Sequence, residues 1–155
     1  MMLVAAAFAL ASYTFKPNTT LPFTAVYDKC AGGNISPELH WSNAPRGTRS
    51  FALILYDPDA TGGWYHWVAY NIPASVSELR AGIHLQFAEV GATSFGQLRY
   101  GGPCPPPGKV HHYIFTLYAL DTKRIGPTGM TGPRAEAAMR KHVLARASVT
   151  GLYRR

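Results

Sequence analysis

Charge is scarce in this chain. Only 15% of its 155 residues are Asp, Glu, Lys or Arg, and just 8 of them are acidic. With 47% hydrophobic residues, that scarcity excludes a solvated, disordered tail. Cysteine is scarcer still, at two residues, too few for a disulfide-framed miniprotein or a four-cysteine zinc module. No apolar run approaches the roughly 20 residues that carry a helix across a bilayer. There is no Gly-x-Ser-x-Gly elbow and no His-Glu-x-x-His helix, so the common hydrolase and metalloprotease signatures are missing. Internal repeats and low-complexity linkers are absent too.

What is present fits one β-rich domain. The length is that of a single domain able to bury a core. Gly 15 and Pro 12 suit many ordered turns rather than a helical bundle. Fifteen basic residues against 8 acidic ones give a formal charge of +7, which favours anionic partners. Nucleic acid is not indicated, because charge is its only support and no recognised module accompanies it. The first eleven residues, MMLVAAAFALA, are unbroken apolar sequence. They read as the core of a signal peptide, with Ala9-Leu10-Ala11 as a small-x-small cleavage site, although a positive leading region is lacking. The alternative is a buried N-terminal strand or helix. Export gives an apolar segment 1–11, a single domain 12–155 and a periplasmic or secreted location; without it the protein is cytoplasmic. In an oxidising compartment Cys30 and Cys104 can pair, closing a loop worth about 4 kcal/mol in the chain-entropy model.

Along the chain, Leu39-His40-Trp41 is a short strand, and Ser50 to Asp57 (SFALILYD) reads as a strand buried on both faces. Trp64 to Ile72 is a second such strand, with Asp57 to Gly63 as the loop between them. Glu78 to Gly102 is irregular, and the Pro-Cys-Pro-Pro-Pro run at 103–107 is too stiff for a central strand. Val110 to Asp121 is the third strong strand. Pro133 opens a helix predicted over Arg134 to about Ala147, on the spacing of Ala135, Ala138, Met139, Val143 and Leu144. A last short strand is expected near Val149 to Tyr153. The alternating helices of a doubly wound fold are missing, which leaves a mostly β sandwich or partly closed barrel with a late helix.

Several polar residues sit at odd places in these strands. Asp57 ends the first strong one, His66 lies between Trp64 and Trp67, and His111 and Tyr113 share one face at the start of the third. Together they make a pocket rim, and a buried charge or imidazole there needs a partner, the nearest being one another. On its own His66 is as well read as a satisfied interior histidine. His40, His84, His112 and His142 read as surface or structural residues.

The stretches Asn34-Ile35-Ser36-Pro37 with Trp41, Ser50-Phe51-Ala52-Leu53, Asp57-Pro58-Asp59-Ala60, Trp64-Tyr65-His66-Trp67-Val68, Asn71-Ile72-Pro73, and Tyr100-Gly101-Gly102-Pro103-Cys104-Pro105-Pro106 with His111-His112-Tyr113 occur in this order. So arranged, the chain resembles the phosphatidylethanolamine-binding protein (Raf kinase inhibitor-like) family in its bacterial branch, over roughly Ser12 to Tyr153. Thr61, where the family has a proline, and a short loop before Trp64 depart from the pattern at the mouth of the site. The resemblance implies a Greek-key β-sandwich with a C-terminal helix and a small pocket for phosphate, phosphorylated headgroups or other oxyanions. Carried over residue by residue, the pocket comprises Asp57, Asp59, His66, His111 and Tyr113, walled by Pro103, Pro105 and Pro106.

Imidazole and phenol donors suit phosphate oxygens. A histidine titrating between pH 5 and 8 would tune the binding. Asp57 would orient a histidine or meet an ammonium group, with Trp64 or Trp67 facing that cation. The expected function is non-catalytic binding of a phosphate-bearing small molecule, headgroup or peptide, possible regulation of a protein partner included, with no cofactor or metal. The competing readings are a kinase or protease inhibitor acting by contact, and a metal-assisted phosphoester hydrolase using Asp57, Asp59, His66 and His111. Oligomeric state is open, a homodimer included.

Overall fold

The computed structural model describes residues 2–155. Its strands are β1 (Ala9–Ala11), β2 (Thr19–Thr20), β3 (Leu39–Ser42), β4 (Ser50–Asp57), β5 (Trp64–Pro73), β6 (Glu78–Leu79), β7 (Glu89–Val90), β8 (His111–Leu120) and β9 (Val143–Tyr153), and the helix α1 is Gly132–Met139. They form a six-stranded sheet in the order β2-β9-β8-β4-β5-β7 and a three-stranded sheet in the order β1-β3-β6. This is the mostly β sandwich with a C-terminal helix that the sequence predicts.

Strand alternation explains the layers. Phe51, Leu53 and Leu55 of β4 and Phe115, Leu117 and Ala119 of β8 point one way and pack with Leu10, Leu39, Trp41 and Leu79 of the smaller sheet. Ala52 and Ile54 of β4 and Val68 and Tyr70 of β5 point the other way, onto Met130 and onto Ala135 and Met139 of α1. The central strands are therefore covered on both faces, which is why they read as continuous apolar runs.

Two expectations are corrected. The helix stops at Met139 instead of continuing to Ala147. It is capped by the Thr131 side chain, which accepts the Arg134 N–H, with Pro133 in its first turn. After a tight turn closed by His142 N–H on Met139 C=O, the chain enters β9, which is eleven residues long rather than a short strand near Val149. β9 pairs along β8 from His111↔Tyr153 to Leu120↔Val143. At the other end, residues 2–7 are exposed, whereas Ala9–Ala11 pairs antiparallel with β3 and Leu10 enters the core. The folded unit thus takes in residues upstream of Ser12.

A candidate oxyanion cleft

The core-facing row of β8 runs Leu117, Phe115, Tyr113, His111. It is apolar in the middle of the sheet and turns polar at the strand's first residues. β4 ends beside it on Asp57. β5 contributes through an irregularity: Leu55 pairs with Trp67 and the next residue, Tyr56, pairs with Tyr65. His66 is the extra residue of this β-bulge. Two residues there oppose one, which re-aims a side chain, and His66 packs edge-on to Tyr113, with ring centroids 5.1 Å apart.

These three strand ends form the floor of a cleft of about 680 Å³. Its walls are Pro105, Pro106 and Pro107 on one side and Trp64 and Phe95 on another, with Lys29 and Lys109 among its lining residues. Cys104 bonds to Cys30, with Cα atoms 5.8 Å apart, so the proline loop is fastened to the turn that carries Lys29. Hydrogen bonds reinforce this strap. Tyr27 N–H donates to Pro103 C=O at 3.0 Å, and Asn34 accepts Gly102 N–H at 2.8 Å while donating to Tyr100 C=O at 3.1 Å. The backbones approach so closely that a Cβ on Gly102 would lie 1.9 Å from Ala25 C=O.

The polar groups of the floor have fixed roles. Asp57 Oδ1 accepts the N–H groups of Asp59 (2.8 Å) and Ala60 (3.2 Å), which shapes the loop after β4. Its Oδ2 accepts from His111 Nδ1 at 2.7 Å, with both side chains buried. A carboxylate only accepts, so the proton is on Nδ1. Asp57 is thereby a positioning residue, for the His111 ring and for the loop after β4. His66 donates from Nδ1 to Gly101 C=O at 2.7 Å, while Gly101 N–H donates to His66 C=O. Burial holds His66 down to about pKa 4, against smaller opposing effects of the Gly101 hydrogen bond, Asp57 and the Gly102 backbone. The His66 ring therefore stays neutral between pH 5 and 8. Two buried polar atoms on the cleft residues have no protein partner among the described residues: the Tyr113 hydroxyl and Trp64 Nε1. Burial, with the nearby Asp57 charge, pushes the Tyr113 phenol far up, so it stays protonated and can donate.

The site's setting has independent counterparts. The sequence pattern of the phosphatidylethanolamine-binding protein family matches residues 11–154. The chain belongs to that family. YbcL of Escherichia coli (strain K12) is 41% identical over 162 residues, covering 96% of this chain and 88% of that protein. YbhB of the same strain is 39% identical over 155 residues, covering 93% and 98%. The crystal structure of YbcL, described as a new member of the mammalian PEBP family, superposes with a TM-score of 0.92 at 37% identity, over 97% of this chain and 99% of that one. A solved chain from Chlamydia trachomatis gives 0.88 at 35% identity, over 96% and 98%.

In this member of the phosphatidylethanolamine-binding protein family, the residues expected at the pocket divide clearly. Asp57, Asp59, His66, His111, Tyr113, Pro105 and Pro106 line one cleft. Pro103 does not; it is buried behind the wall, where its carbonyl holds Tyr27. Trp67 does not face the cleft either, but lies in the core against Tyr100. Asp59 is engaged by His112, which donates from both its backbone N–H (2.7 Å) and Nδ1 (2.8 Å). These bonds hold the Asp59 carboxyl below its usual range. Among the described residues, no three of His, Cys, Asp and Glu converge in a way that could hold a metal ion. Sequence reading missed Lys29, Lys109, Phe95 and Tyr27, which come from loops where single residues carry no periodic signal.

Proposed function

We propose that the protein binds small oxyanions, phosphate-bearing ligands above all, in this cleft, without transforming them. The observation that carries this reading is the pair of unpartnered donors, Tyr113 OH and Trp64 Nε1, on a cleft that also has Lys29 and Lys109 in its lining. A buried unpaired polar group costs roughly 1–3 kcal/mol, and an anion's oxygens satisfy both. His111, oriented by Asp57, lines the same cleft. Trp64 can also face an ammonium group on the ligand. We further propose export to an oxidising compartment. The Cys30–Cys104 bond and the exposed apolar residues 2–7 support it.

Calorimetric titration with phosphoethanolamine, on the wild type and on Tyr113→Phe, tests the binding reading. Loss of the hydroxyl should weaken binding at least tenfold, yet leave the unliganded protein as stable as before or more stable by about 1 kcal/mol. Equal affinity in the two proteins, or no binding by the folded wild type, contradicts it.

A further inference from the structure

We propose that the cleft takes a phosphomonoester in its singly protonated form and discriminates against phosphodiesters and sulfate esters, because His66 offers the ligand an acceptor and not a donor. The proposal rests on the oxyanion reading above and names its ligand class.

The geometry is specific on this point. The Gly101 carbonyl can only accept, so the 2.7 Å contact to His66 Nδ1 requires the proton there. A neutral ring has one N–H, which leaves a lone pair on Nε2. Among the described residues the ring's side-chain hydrogen bond is made through Nδ1, and the ring lines the cleft. A second proton on the ring would need a counter-charge. The charged and titratable groups around it are Asp57 at the end of β4, Asp59 in the loop that follows, His111 and Tyr113 on β8, and Lys29 and Lys109 on the lining loops. Asp57 already accepts from two backbone N–H groups and from His111. Asp59 Oδ2 accepts the backbone N–H and Nδ1 of His112. Tyr113, Lys29 and Lys109 are donors or cations. Burial points the same way, holding the ring neutral down to about 4.

The cleft therefore presents donors from Tyr113 and Trp64, and an acceptor at His66 Nε2. A complementary ligand carries bare oxygens and one protonated oxygen on the same centre. A phosphomonoester, whose second pKa is near 6, supplies both. A phosphodiester or sulfate ester has no proton to give, and would set an oxygen lone pair against that of Nε2. Sites built to pair a ligand hydroxyl reject analogues that lack it. The phosphodiester of an intact phospholipid headgroup falls on the rejected side, and a free phosphorylated small molecule on the accepted side.

The test compares three ligands that share the aminoethyl group: phosphoethanolamine, glycerophosphoethanolamine and 2-aminoethyl sulfate. Affinities are measured at pH 6, and proton uptake at pH 7 comes from calorimetry in buffers of different ionisation enthalpy. The monoester should bind at least tenfold more tightly than the other two at pH 6. At pH 7 roughly nine-tenths of it is the dianion, so its binding should take up roughly 0.9 proton more than glycerophosphoethanolamine binding. Equal affinities with equal proton counts would overturn this proposal and leave the oxyanion reading standing. No binding of any of the three would overturn both.

Discussion

Acid should destabilise this protein through one imidazole. His66 is nearly fully buried, its ring between Phe95 and Tyr113, and burial lowers its pKa from 6.5 to about 4. In the unfolded chain the ring returns to its ordinary value. Above pH 6.5 neither state holds the extra proton and the two are matched. Between pH 6.5 and 4 the unfolded state binds a proton that the folded state refuses, so stability falls as pH falls. A gap of about 2.5 pH units at roughly 1.4 kcal/mol each is about 3 kcal/mol lost between pH 7 and pH 4. Urea unfolding of the wild type and of His66→Gln at pH 7, 6, 5 and 4 isolates this contribution. The glutamine amide can still donate to Gly101 C=O but does not titrate, and the carboxylates common to both proteins cancel in the difference. Wild-type stability relative to the variant should fall by about 3 kcal/mol over that range. Parallel curves, within about 0.5 kcal/mol, would refute the reasoning. Should the variant not fold, NMR titration of the His66 ring in the wild type settles the same question: an apparent pKa near 6.5 would contradict it.

Other outcomes follow from the strap around the cleft. Removing the Cys30–Cys104 bond, by the double serine variant, frees a loop spanning 74 positions and should lower stability to urea by about 4 kcal/mol; no change in the unfolding midpoint would contradict the pairing. Gly102→Ala places a Cβ against the backbone at Ala25 and Tyr27 and should cost more than about 2 kcal/mol in the same assay. Lys29→Ala with Lys109→Ala should weaken phosphoethanolamine binding and flatten its salt dependence with little effect on stability; an unchanged salt slope would remove the lysines from the site.

The large strands were legible because hydrogen-bonded strands buried on both faces demand continuous apolar sequence. Ser50–Asp57 and Trp64–Pro73 match their expected limits to within a residue. The region after Met139 was not legible. Val143 and Leu144 fit a helical stripe that begins at Ala135, but the strand pairs with β8, some thirty residues earlier in sequence, and that long-range pairing overrides local preference. The floor of the cleft was legible as polar residues at strand ends. The chemistry of His66 was not, since it depends on a bulge and on a carbonyl 35 residues away. Trp67 was misplaced toward the cleft because sequence shows two tryptophans flanking a histidine and cannot show which side the bulge sends each.

The most direct test of the cleft as the binding site uses the three tryptophans as reporters. Trp64 lines the cleft, whereas Trp41 and Trp67 are buried in the core. In a nitrogen-15 NMR titration with phosphoethanolamine, the Trp64 indole N–H should shift strongly downfield as it gains an acceptor, with the Trp41 and Trp67 signals nearly still. Saturable binding that leaves Trp64 unmoved, or moves another indole instead, would place the ligand elsewhere and contradict the account.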